Sequence, residues 1–328
     1  MTKAINWGII GPGKIAHKFA QDLAQVEGAR LSAVLSRSEE RAREFARAYE
    51  APHAYADPGA FLACPELDIV YIATPHSHHY EHAMRCLRAG VPVLCEKAFA
   101  LNSAQAREMT GLAREKGVFL MEALWTRFLP STIKVLELIE QGAIGRPLSV
   151  KADFGFKAQP DPEGRLFSPS LAGGALLDIG IYPVFLAYLI LGQPGKLQAM
   201  AQFSPTGVDQ ELGVLFHYDN GGMAHLHATL QALTKTEAFI YGEEGTIHWH
   251  TRWHEPSSFS LISPEGRLSN FHFDWDGNGY VYEAKEAMRC LREGLQESPL
   301  WPLQQTEGLM ALLDQVRSAI GLKYPGEA

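Results

Sequence analysis

Gly8-Ile9-Ile10-Gly11-Pro12-Gly13-Lys14-Ile15-Ala16 decides the reading of this chain. Ile5 to Ile10 reads as a short buried strand, and Gly11-x-Gly13-x-x-Ala16 follows it at once. A helical spacing of apolar residues (Ile15, Phe19, Leu23, Val26) begins inside the motif. Strand, glycine turn and helix in that order are the context in which this fingerprint marks a dinucleotide site. Gly11 permits the tight turn, Gly13 lets backbone approach a pyrophosphate, and Ala16 lets the helix lie close on the strand. The helix N-terminus then faces the anion.

The second strand points to which dinucleotide. Arg30 to Leu35 is closed by Ser36-Arg37-Ser38, where an NAD site usually places Asp or Glu to accept from the ribose 2′-hydroxyl. Ser36 and Arg37, with Arg41 one helical turn further on, instead suit a 2′-phosphate, which calls for charge-assisted contacts. The sequence therefore favours NADP, with NAD the less favoured alternative. Arg43 reads differently, as decoration of a solvated helix face beside Glu39, Glu40 and Glu44.

At 328 residues the chain is long enough for two domains, each with its own core. The formal net charge of −8 speaks against nucleic acid as a main partner. No uninterrupted apolar run reaches membrane-spanning length, and the N-terminus lacks the pattern of a signal peptide. Cys64, Cys86, Cys95 and Cys290 form no CxxC and no metal spacing, so reduced thiols in a cytoplasmic protein are expected.

Up to residue 125 strands and helices alternate, which predicts a doubly wound parallel sheet, a Rossmann domain over 1–125. Strands are expected near Leu31–Leu35, Ile69–Ala73, Val91–Glu96 and Val118–Glu122, with Gly90 and Gly117 where helix C-caps belong. From Leu148 strand-like segments follow one another, and Asp219-Asn220-Gly221-Gly222 between two of them signals a hairpin. Residues 126–328 thus read as an α+β domain built on an open-faced, mostly antiparallel sheet.

Three motifs carry chemistry. Thr74-Pro75-His76-Ser77-His78-His79 follows a parallel strand and opens on the carboxyl edge where α/β sheets bind ligands. The next parallel strand ends in Cys95-Glu96-Lys97, aiming a lysine at the same edge. Gly173-Gly174-Ala175-Leu176-Leu177-Asp178-Ile179-Gly180-Ile181-Tyr182 introduces a helix on which Asp178 and Tyr182, four apart, share a face if it has begun by Asp178. Lys97, Asp178 and Tyr182 form a proton-handling set, because a nearby ammonium favours tyrosinate. Spacing alone leaves other readings open: Asp178 as a helix N-cap and Tyr182 as a core residue.

At these residues the chain resembles the Gfo/Idh/MocA family of oxidoreductases, most closely its branch of dimeric dihydrodiol dehydrogenases, also described as NADP-dependent D-xylose dehydrogenases. Gly8 to Ala16, Thr74-Pro75…His79 and Cys95-Glu96-Lys97 match the wider family. Phe119-Leu120-Met121-Glu122-Ala123-Leu124-Trp125-Thr126-Arg127-Phe128, Gly173 to Tyr182 and Tyr282-Glu283-Ala284-Lys285 extend the likeness over nearly the whole length, and the Met121–Phe128 and Gly173–Tyr182 runs belong to that branch. The resemblance implies hydride transfer at a hydroxyl-bearing carbon of a sugar, polyol or trans-dihydrodiol, and a homodimer through the second domain's sheet. It implies that Lys97 contacts cofactor and reacting hydroxyl, that Tyr182 is the acid/base where many relatives carry His, and that Asp178 helps bind substrate. Trp125 and Phe154 match aromatic residues lining the branch's pocket. The cofactor site is expected at Gly11, Gly13, Lys14, Ile15, Ser36, Arg37, Arg41, Thr74, Pro75, His79, Glu96 and Lys97.

Two positions depart from the family. Its Glu-Lys-Pro reads Glu96-Lys97-Ala98 here, and its Thr-Pro-Asn reads Thr74-Pro75-His76. Neither change removes a group needed for hydride transfer, and both bear on substrate choice. Two other functions compete. One is a cofactor-binding sensor without turnover. The other is metal binding by His76, His78, His79 and His82 or by the strand pairs His225/His227 and His248/His250. No cysteine or carboxylate completes a metal set, and no metal is expected.

Overall fold

The computed structural model describes residues 4–327. The chain forms two compact units. The first begins with β1 (Ile5–Ile10), α1 (Lys14–Leu23), β2 (Ala29–Leu35), α2 (Glu39–Ala48), β3 (His53–Tyr55) and α3 (Pro58–Leu62). It continues with β4 (Ile69–Ile72), α4 (His79–Arg88), β5 (Val93–Glu96), α5 (Ser103–Lys116) and β6 (Leu120–Ala123). All six strands are parallel, in the order β3-β2-β1-β4-β5-β6. This is the expected doubly wound sheet. Its order reverses between β1 and β4, so the segments leaving those two strands flank the switch point where such sheets take ligands.

Local sequence explains the elements. Ile9, Val70 and Val93 are fully buried, as central parallel strands require. Side chains of Ser38, Asp57 and Asn102 cap α2, α3 and α5 by accepting N–H groups of Arg41, Ala60 and Gln105. Gly90 and Gly117 follow α4 and α5 at φ +74° and +64°, the left-handed stop expected of them. β3 went unanticipated, being only three residues long and half-buried.

The second unit contains α6 (Pro130–Glu140), β7 (Pro147–Gly155), α7 (Ile181–Leu191), β8 (Lys196–Phe203), β9 (Asp209–His217) and β10 (Met223–Thr229). It adds β11 (Ala238–Gly242), β12 (Thr246–Trp249), β13 (Phe259–Ile262) and β14 (Leu268–Phe271). The eight strands run β14-β13-β12-β11-β7-β10-β9-β8, antiparallel except where β7 meets β10. The hairpin read at Asn220-Gly221 joins β9 to β10, with Gly221 at φ +84° and His217 opposite Met223. Alternation buries Leu212, Val214 and Phe216 on one face, and α7 covers that side. The other face carries Met200, Leu215, Met223 and Tyr241, all exposed. Among the described residues one stretch, Pro169–Leu191, is long and apolar enough to cross a membrane; most of it is buried within this unit.

A single cut after residue 125 was expected. Instead the first unit runs to Phe128 and takes back Trp275–Glu307, which carries α8 (Val281–Arg292). Helix α9 (Leu303–Ile320) starts there and continues into the second unit from Gly308. Buried carboxyls hold the return segment. Asp22 accepts the N–H groups of Asn278 and Tyr280, each at 2.8 Å, and Gly277 leaves room, since a Cβ there would stand 2.3 Å from Asp22 Oδ1. Glu122 accepts from Trp301 Nε1 at 3.0 Å and from Thr306 Oγ1 at 2.9 Å.

Glu122 yields a prediction. Burial pushes its carboxyl up to about 7, against the pull of the Trp301 and Thr306 hydrogen bonds. A carboxyl raised in the fold contributes fully below its unfolded value, and that contribution is lost as pH climbs toward the folded one. Glu122→Gln keeps an acceptor for Trp301 and Thr306 and removes the ionisation. It is expected to stabilise the protein by ~2–3 kcal/mol at about pH 8 and by little near pH 4.5, read from melting curves at both. An equal gain at both pH values would refute the titration.

Candidate active site

In the first unit the fingerprint closes as its residues dictate. Gly11 sits at φ +86°, and a Cβ there would stand 2.7 Å from Thr74 Cγ2, so only glycine fits this turn. Ala16 is fully buried against the sheet. Gly13 is the N-cap of α1, with no side chain capping the first-turn N–H groups. A Cβ on Gly13 would meet no atom nearer than Gly11 O at 4.0 Å. The space is therefore open beside uncapped N–H groups, which suits a pyrophosphate. Lys14 is exposed and Ile15 half-buried beside it.

Past β2, Ser36 is buried, and its Oγ accepts the Ser38 N–H at 3.3 Å. Arg37 and Arg41 are exposed and have no ion-pair partner among the described residues, whereas Arg43 pairs with Glu39 at 2.5 Å. Two uncommitted guanidiniums therefore flank the end of β2, as a 2′-phosphate needs, and residues 36–38 include no Asp or Glu. After β4, the hydroxyls of Thr74 and Ser77 are buried with no hydrogen-bond partner among the described residues. Unsatisfied buried donors at a ligand edge fit an absent bound group. Pro75 leads from Thr74 into the short turn His76–His78.

Other expected cofactor residues turn inward. His79 is fully buried, with Nδ1 2.9 Å from Ala98 O and Nε2 2.8 Å from Thr74 O. Burial pushes its pKa down to about 4 against the pull of the two carbonyls. A ring used this way ties the Thr74 loop to the Lys97-Ala98 segment. Glu96 is also buried: it accepts from the Tyr71 hydroxyl and, at 3.2 Å, from the Lys97 N–H. It too shapes the backbone that presents Lys97, which is half-buried. Trp125, in the turn after β6, stacks on Tyr280 with centroids 4.5 Å apart.

In the second unit the glycine-rich run forms a π turn, Leu176–Gly180, that passes directly into α7. Asp178 lies in this turn and Tyr182 in the first turn of α7; both are buried. The α-helical face expected to join them therefore begins one turn late, and a wider coil spans the gap. Such π turns recur at functional sites because they re-aim side chains. Asp178 is clasped by Arg165, which donates from Nη1 to Oδ1 and, at 3.4 Å, from Nη2 to Oδ2. An N-cap role for Asp178 is not what its carboxylate performs here.

Tyr182 stands in an aromatic group. Phe154 stacks on His254 with centroids 4.0 Å apart, and Tyr182 lies 4.9 Å from His254 and 5.7 Å from Phe154. His254 is almost fully buried, and Nε2 lies 3.6 Å from Glu255. His254 and the hydrogen-bonded Arg252 outweigh burial and hold Glu255 down to about 2. Sequence reasoning missed Arg165 and His254. Neither sits in a motif, and only the fold carries the Arg165 loop and the Trp253-His254 turn to these places. Three of the four strand histidines singled out as metal ligands have other partners: His227 meets Glu211 at 3.0 Å, His248 meets Glu237 at 3.3 Å, and His250 meets Ser258 and Ser260. Among the described residues no three His, Cys, Asp or Glu side chains are grouped to hold a metal.

Known proteins resemble the chain along both units. The family model described as "Oxidoreductase family, NAD-binding Rossmann fold" matches residues 5–124, and that described as "GFO/IDH/MocA C-terminal domain" matches residues 132–248. A trans-1,2-dihydrobenzene-1,2-diol dehydrogenase of Mus musculus is 35% identical over 331 residues, covering 98% of each chain. The protein of that name from Homo sapiens is 34% identical over 335 residues, again covering 98% of each. Among solved structures, KijD10, a 3-ketoreductase from Actinomadura kijaniata in complex with NADP and TDP-benzene, superposes with a TM-score of 0.86 at 25% identity. That match covers 97% of this chain and 98% of the other.

Proposed function

The chain belongs to the Gfo/Idh/MocA family of oxidoreductases, and from that premise we propose that it is an NADP-dependent dehydrogenase acting on a hydroxyl-bearing carbon of a sugar, polyol or trans-dihydrodiol. The observation that carries the reading is the pairing of an open, uncapped glycine turn at Gly13 with the uncommitted guanidiniums of Arg37 and Arg41. NADP, when bound, supplies the hydride chemistry, and the protein's work is alignment and proton handling. Gly11, Gly13 and the α1 N-terminus would hold the pyrophosphate, with Lys14 and Ile15 beside it. Ser36, Arg37 and Arg41 would hold the 2′-phosphate, and Thr74 and Pro75 would line the edge. His79 and Glu96 brace that edge and the backbone at Lys97.

Tyr182 takes or returns the hydroxyl proton through its Oη. Lys97 would hold the cofactor ribose and the reacting oxygen. Asp178, neutralised by Arg165, is suited to orienting a second hydroxyl rather than to moving protons. Trp125 and Phe154 offer flat apolar surface to a ring. The exposed apolar residues on the outer face of the eight-stranded sheet support a homodimer through that face, and four buried cysteines outside any disulfide support a reducing, cytoplasmic setting.

The test is NADP+ reduction with a panel of aldoses, polyols and trans-1,2-dihydrobenzene-1,2-diol, repeated with NAD+. Turnover of any member, faster with NADP+, is the expected result. Tight NADP(H) binding with no turnover across the panel would favour a sensor.

A further inference from the structure

The turn that carries Asp178 and leads to Tyr182 is held by groups from outside itself. Asp209, the first residue of β9, is fully buried, and its Oδ2 accepts the Leu176 N–H at 2.6 Å. Leu176 opens the π turn, and Ala175 before it offers no capping side chain. The carboxylate therefore satisfies an N–H that the helix start leaves over, at the end where negative charge is favoured. Gly174 makes the room: its φ is +120°, and a Cβ there would stand 2.1 Å from Asp209 Oδ1. Glycine before the turn and a short side-chain acceptor opposite it satisfy both constraints.

A second tether comes from the chain's end. The Tyr324 hydroxyl donates to Gly173 O at 2.7 Å, and both groups are buried. Arg317 fixes that tail by pairing with Glu327 at 2.8 Å, and Glu327 accepts the Tyr324 N–H at 3.0 Å. Burying a carboxylate is costly, and a packing role at residue 209 would be met by an apolar side chain. The position of the charge, on the first N–H of the turn, indicates what it is for.

We propose that Asp209 is a positioning residue: by fixing the start of the Leu176–Gly180 turn, with Tyr324 as second tether, it sets where Asp178 and Tyr182 present their oxygens. This rests on the reading that Tyr182 exchanges the substrate proton. Asp209→Asn in the full chain preserves shape and one acceptor while removing the charge. Its kcat, its KM for whichever panel substrate turns over, its NADP+ affinity by fluorescence and its amide hydrogen exchange over 173–182 are measured beside Tyr182→Phe.

The expected result is a fall in kcat of about tenfold, unchanged NADP+ affinity and faster exchange confined to the turn. If Asp209→Asn does not fold, Tyr324→Phe removes a single hydroxyl, and about a threefold fall with the same local exchange is expected. Wild-type kcat in the Asp209 variant beside a crippled Tyr182→Phe overturns the positioning role. A fall in kcat accompanied by loss of NADP+ affinity and of thermal stability assigns Asp209 to general stability and also overturns it. Wild-type kcat in Tyr182→Phe itself overturns the proton assignment, and the positioning role falls with it.

Discussion

Tyr182→Phe is expected to cut turnover by about 10²-fold or more while leaving NADP(H) affinity within about twofold. The substitution tests chemistry because of where the ring sits. Tyr182 is buried in the aromatic group formed with Phe154 and His254, and phenylalanine fills the same volume in the same rotamer. What disappears is one hydroxyl, so a change in melting temperature of more than a few degrees would point to packing. An unchanged KM with a lowered kcat marks a group that acts only as the proton moves. His254 is the rival donor, since it stands 4.9 Å from the Tyr182 ring. His254→Asn separates the two: residual activity close to wild type leaves the assignment with Tyr182, whereas its loss together with wild-type turnover in Tyr182→Phe transfers the role to the imidazole.

The residues that were legible in the sequence are those whose constraint is local. Gly11 must accept a positive φ, Ala16 must be small, and Gly117 must end a helix, and each announces itself within a few residues of chain. Parallel strands announce themselves by burial on both faces, as Ile69–Ile72 and Val93–Glu96 do. What was illegible depends on partners far along the chain. Asp22 looks like a solvent-facing residue of α1 until the N–H groups of Asn278 and Tyr280 arrive to satisfy it. The same holds for Glu122 with Trp301 and Thr306, and this is why the return of 275–307 to the first unit could not be read from composition. β14 was missed for a different reason: three of the four residues Leu268–Phe271 are exposed, and there is no alternation to detect. In the candidate site, Asp178 and Tyr182 were legible as a pair, but the π turn between them and the Arg165 clasp were not. The turn starts where Asp209 meets the Leu176 N–H across Gly174, and the clasp comes from a residue thirteen positions before Asp178.

Arg37→Ala is expected to weaken NADP(H) binding by about 10- to 100-fold and to change NAD(H) binding by no more than about threefold. The asymmetry follows from what surrounds the end of β2. Ser36 is occupied in the local turn, Ser38 caps α2, and none of residues 36–38 is acidic. The guanidiniums of Arg37 and Arg41 are exposed and uncommitted, so nothing in the fold is lost when one is removed, and melting temperature should stay constant. A phosphate recognised by two such groups is held by charge in water. Its contribution therefore shrinks as ionic strength rises, and the preference for NADP over NAD should narrow between low and high salt in the wild type and be nearly flat in an Arg37→Ala/Arg41→Ala double variant. Equal weakening of both cofactors in Arg37→Ala would place the arginine on a part they share, and the argument for a 2′-phosphate site would fail. Replacing Ser36 by Asp supplies the converse: a carboxylate at the ribose corner repels a phosphate and accepts a hydroxyl, so preference should move toward NAD. Arg37 and Ser36 would then be acting on one atom of the cofactor from opposite chemical sides.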